Sequence, residues 1–191
     1  MKQAIILSIA GLTISSTLSY GGGTIPFDTY EADNFNGIIT TYGDGPKVGL
    51  GLDNTFTGVL LFSVNPIVEA ATTSPASASN PLDPAWSVAS TGTFAGSIPD
   101  GFILAPNFNY SGSQTTLYFE VAAYDGSSYD TSLVRGHSAA FTANLVSGVT
   151  LPTADQLDNM QPFQVFSIPE PMAIYLLGFA LSLCCFARNR I

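Results

Sequence analysis

Thr115-Thr116-Leu117-Tyr118-Phe119-Glu120-Val121-Ala122-Ala123-Tyr124 is the stretch whose reading decides the fold. Side chains of an extended chain alternate between two faces. Leu117, Phe119, Val121 and Ala123 therefore share one side, and Tyr118, Glu120, Ala122 and Tyr124 share the other. One side is wholly apolar and the run is rich in aromatic and small residues, which predicts a strand laid on a core. Asp125-Gly126-Ser127-Ser128 closes it as a turn.

Neighbouring segments carry the same signal. Ser138 to Val146 alternates, with Ala139, Phe141, Ala143 and Leu145 inward and Thr142 and Asn144 outward. Thr57 to Val64 is nearly continuous apolar and predicts a strand buried on both faces. Asn36–Tyr42, Trp86–Ile98, Gly101–Leu104 and Pro162–Phe166 read as further strands. Ser74–Pro84 holds three prolines, which block ladder hydrogen bonds, and is expected as an extended, exposed loop. Thr153–Met160 is expected to make one helical turn with Thr153 as its cap. Roughly seven to nine short strands with turns between them imply an all-β chain with a single β-sandwich over residues 24–167, either jelly-roll-like or immunoglobulin-like.

Charge narrows the function. The chain has 14 acidic and 5 basic residues and a net charge of −9. All the acidic residues lie between Asp28 and Glu170, where Lys47 and Arg135 are the only basic ones. Nothing there neutralises a run of phosphates, so nucleic acid is excluded as a partner. The same span has no cysteine, so no disulfide braces it.

Both ends read as addresses. Lys2, the apolar run Ala4–Ile14 and the small residues after Ser15 have the order of a signal peptide for Sec export, here residues 1–23, with a processing point after Ser19 or slightly later. At the other end Pro169-Glu170-Pro171 is followed by an uncharged apolar run, 172–187, and then by Arg188-Asn189-Arg190. As a helix that run is roughly 24 Å long, just short of a bilayer core of about 30 Å. Flanking arginines stay on the cytoplasmic side, which leaves the preceding domain outside. Each proline also disfavours helix for the residue before it, so the tripeptide is stiff and extended.

The tail, residues 168–191, resembles the PEP-CTERM sorting signal: a Pro-Glu-Pro tripeptide, one hydrophobic transmembrane helix and an arginine-containing end. Pro169, Glu170 and Pro171 match the tripeptide, and Arg188 and Arg190 match the basic stop. The resemblance implies an exosortase substrate, held briefly in the inner membrane and then placed at the cell surface or in an exopolysaccharide-containing matrix. Cys184 and Cys185 are not part of the pattern. The region from Val48 through Phe166 is also similar to an uncharacterised domain that accompanies such signals, on Phe119–Gly126, Gly136-His137-Ser138 and Gln164-Val165-Phe166. That domain has no known activity.

Little chemistry is expected of the domain itself. His137 is the only histidine, no Gly-x-Ser-x-Gly elbow is present, and His137 is expected in a solvated or turn position at a strand start. Zinc needs three or four His, Cys or carboxylate ligands. Asp28, Glu31 and Asp33, and Asp125 with Asp130, do not make an Asp-x-Asp-x-Asp-Gly calcium loop. The expectation is therefore a non-enzymatic structural or adhesive protein without catalytic residues, metal or cofactor. One alternative is a carbohydrate-binding module using Trp86, Tyr118 and Tyr124, with Tyr129, as stacking platforms. The other is a polysaccharide hydrolase using Glu120 and Asp125.

Overall fold

The computed structural model describes residues 22–95, 98–146 and 153–169. The expected export signal before Gly22, the apolar run 172–187, Glu170, Pro171, Arg188 and Arg190 lie outside the described residues. Among the described residues no helix is long and apolar enough to cross a membrane.

The described chain is mostly β-sheet, so the all-β expectation holds. In order it forms β1 (Gly23–Asp28), α1 (Ala32–Phe35), β2 (Thr40–Tyr42), β3 (Thr57–Ser63), α2 (Pro75–Ala78) and β4 (Ser87–Thr93). Then come β5 (Leu104–Tyr110), β6 (Thr116–Tyr124), β7 (Val134–His137), β8 (Phe141–Asn144) and β9 (Phe163–Ser167). Single 3-10 turns lie at Tyr129–Thr131 and Ala154–Leu157. The second is the turn expected from the sequence, entered at Thr153, whose carbonyl accepts from Gln156 N.

Seven strands form one sheet in the order β2-β9-β7-β6-β3-β4, with β8 also paired to β6. β6 is its spine. Its first half pairs with β8 from Thr116 to Phe119, and its second half with β7 from Ala122 to Tyr124. β3 pairs along its other edge from Thr57 to Ser63. β2 and β9 run parallel, and the other strand pairs in this sheet are antiparallel. β1 and β5 make a separate two-stranded sheet. Their register shifts between Ile25 and Phe27, around Pro26 and Pro106, where neither proline has an N–H to give.

The apolar face of β6 meets this smaller sheet. Leu117, Phe119, Val121 and Ala123 join Ile25, Phe27, Leu60, Phe94 and Ile103 in one buried core. Phe108 of β5 bridges the layers, 4.7 Å from the Phe62 ring and 6.3 Å from Phe119, edge-on to the latter. Burying each large side chain contributes about 1.5–3 kcal/mol, which makes this face the main source of stability.

The second face of the large sheet is also covered. Residues 64–86 fold back over it, so that Val59, Leu61, Ala122 and Tyr129 form a smaller cluster packed by Leu82, Trp86 and Tyr124. This corrects the extended loop expected at Ser74–Pro84. Ser74 instead caps α2: its side chain accepts from Ser77 N while Ser77 Oγ accepts from Ser74 N. Pro75 takes the first helical position, where a missing N–H matters least. Arg135 fixes the other end of α2. Its guanidinium donates to the carbonyls of Ala78 (2.7 Å), Ser79 (2.9 Å) and Tyr129, and stacks 4.8 Å from the centre of the Tyr129 ring.

Candidate functional site

The site forms where the neighbours of β6 change. Phe119 faces Phe141 of β8 and Ala122 faces His137 of β7. Between these pairs β6 has two residues, Glu120 and Val121, against three on the partner, Ser138, Ala139 and Ala140. The extra residue is a β-bulge, a device that bends a strand and re-aims its side chains. Ser138 seals it: its N–H donates to the Val121 carbonyl at 2.9 Å, and its Oγ accepts from Val121 N at 3.0 Å.

The covering segment is stitched to the bulge by its backbone. Ala140 N donates to the Glu69 carbonyl, and Thr72 N to the His137 carbonyl, both at 2.9 Å. His137 N in turn donates to Thr72 Oγ1. These bonds bring Glu69 beside Glu120 and His137, so that one ligand-type atom from each lies within 4.8 Å of the others. Trp86 Nε1 donates to Glu69 Oε2 at 2.9 Å and holds its carboxylate in place.

Glu120 is 0 % exposed and His137 is 4 % exposed. The solvated or turn position expected for His137 is thus corrected: β7 is short, but it lies between β6 and β9 and under residues 69–72. Gly136 beside it allows that approach, because a Cβ there would stand 2.2 Å from the Gln164 carbonyl oxygen of β9.

The basic side chain that faces the two carboxyl groups of the site is His137. His137 Nδ1 is 3.5 Å from Glu120 Oε1 but only 3.0 Å from the Ser138 carbonyl. A carbonyl only accepts, so Nδ1 carries its proton toward Ser138. Neither Glu120 oxygen then has a hydrogen-bond partner among the described residues. Burial pushes the Glu120 carboxyl up to about 7 against the lowering pull of His137, and the Glu69 carboxylate adds to the rise. Burial alone would lower His137, but Glu120, the Ser138 carbonyl and Glu69 together outweigh it and the imidazole is raised above its ordinary value. Tyr129 Oη is also buried and, among the described residues, without a hydrogen-bond partner, and burial raises its phenol.

The residues expected to matter are distributed unevenly. Trp86 and Tyr124 are partly buried in the smaller cluster, Tyr124 edge-on to Tyr129 at 6.4 Å. Tyr118 lines a surface recess of about 420 Å3 together with Glu69, Ala140 and Thr142. Glu120 does not face a cleft with Asp125, whose Oδ1 accepts from Val134 N in the turn. Asp28 Oδ1 accepts from the N–H groups of Tyr30 and Glu31, and Asp33 N donates to Asp158. Sequence reading missed Glu69 and His137 as partners of Glu120. The outward parity of Glu120 was its one signal, an acidic residue on a strand otherwise apolar.

Comparison with family models, with curated proteins and with solved structures finds no match for this chain.

Proposed function

We propose that this chain is an exported surface or matrix protein of the PEP-CTERM type, cut by an exosortase near Pro169-Glu170-Pro171 and non-enzymatic in its β domain. The observation that carries the reading is the order of the tail: the tripeptide, an uncharged apolar run and a basic end, in immediate succession. Its position relative to the domain supports the same reading. β9 ends at Ser167, Ile168 N still donates to the Leu133 carbonyl, and Pro169 follows at once. The tripeptide thus begins two residues after the last strand, and a proline disfavours helix for the residue before it. The two unequal sheets are read as a lopsided β-sandwich, and the acidic surface suits life among neutral exopolysaccharide.

The test is Glu170→Ala in an exosortase-bearing host, with immunoblots of membrane and culture fractions. A full-length, membrane-held form should accumulate. Maturation identical to that of the unaltered chain would defeat the proposal.

A further inference from the structure

We propose that Glu69, Glu120 and His137 bind one divalent transition-metal cation, with zinc the best-fitting probe. Three donors of the right kind converge from three separate places in the fold: the covering segment, β6 and β7. Glu120 supplies the independent sign of a missing ligand, since it is wholly buried and, among the described residues, neither of its oxygens has a hydrogen bond. A buried carboxylate needs a counter-charge or several donors. His137 stands 3.5 Å from Oε1 without a hydrogen bond to it, and the guanidinium of Arg135 is engaged by three carbonyls and the Tyr129 ring.

Charge and donor type select the ligand. Two carboxylates, a neutral imidazole and a dication sum to zero, which is the arrangement a buried site tolerates best; with Nδ1 donating to the Ser138 carbonyl, Nε2 is the imidazole nitrogen left to take the ion. Calcium prefers six to eight oxygens and gains little from an imidazole, whereas a mixed N/O set suits zinc with water as its fourth ligand. Tetrahedral zinc with bonds of about 2 Å holds ligand atoms about 3.3 Å apart. The three atoms, now within 4.8 Å of one another, must draw together slightly. Glu69 is only partly buried and borders the recess beside Tyr118, so it can both move and admit the ion. The indole N–H on its second oxygen is the kind of outer contact that orients a metal-binding carboxylate.

The experiment uses the full-length chain in detergent with Cys184 and Cys185 alkylated. It is titrated with zinc alone, and in parallel with calcium alone, by calorimetry and by NMR of the imidazole, which is unambiguous because the chain has one histidine. One equivalent of zinc should bind and shift the His137 ring signals. Glu120→Gln and Glu69→Gln should each weaken binding at least tenfold. Glu69 is partly exposed, so its variant keeps the test decisive even if Glu120→Gln fails to fold. No stoichiometric zinc binding, zinc binding that leaves the His137 signals unmoved, or affinity unchanged in Glu69→Gln would each overturn the proposal.

Discussion

On one side of β6, Leu117, Phe119, Val121 and Ala123 meet a second sheet in a core made of apolar side chains. On the other, Glu120 and Tyr124 lie under an irregular flap held by Arg135, Trp86 and backbone hydrogen bonds. Both sides exclude water, but they do so by different physics. The first relies on area removed from water, which is non-directional and tolerant. The second relies on polar groups that must each find a partner, and among the described residues Glu120 has no hydrogen bond to its carboxyl.

The sharpest way to break the contrast is to cut into the core. Phe119→Ala should lose about 3–5 kcal/mol of unfolding free energy in denaturant titration, the range for a large aromatic removed from a close-packed site. The flap should respond differently. Arg135→Met leaves the carbonyls of Ala78, Ser79 and Tyr129 without their donor, at a loss of about 2–3 kcal/mol. Limited proteolysis should then cut within residues 64–86 before amide exchange rises in β6, because the flap opens locally while the core stays closed.

The smallest expected effect inverts the usual sign. In the metal-free protein Glu120 is raised from 4.5 to about 7, and His137 is raised as well. Both groups bind protons more readily folded than unfolded, so their contribution is greatest in acid and is lost as the pH rises toward 7 and above. Glu120→Gln removes the buried charge. It should be more stable than the unaltered protein at pH 8, by on the order of 1–2 kcal/mol, with the gap closing toward pH 5. The titration midpoint of His137 should also fall in this variant, since Glu120 does most to hold it up. A gap that persists unchanged at pH 5 would mean that packing, not charge, sets the difference.

Much of the core was legible because period-two alternation is a local property. The inward set of β6 and that of Phe141, Ala143 and Leu145 follow from it directly. β1 and most of β5 were not legible: Pro26 and Pro106 interrupt them, and their pairing tolerates this only because the register slips there. The cap of α2 was present as Ser74-Pro75-Ala76-Ser77 but was outweighed by three prolines read as an extended loop. The candidate site was the least visible part. It depends on one extra residue in a strand and on backbone bonds from Glu69 and Thr72, neither of which leaves a periodic trace.

β9 lies inside the large sheet, bonded to β2 on one side and β7 on the other, and the chain leaves it at Ser167. Tension arriving along the strand from beyond that point would load both ladders in shear at the same time. A terminal strand on a sheet edge would instead unzip bond by bond. The exit point is thus a mechanical clamp against any pull that reaches the domain through Ser167.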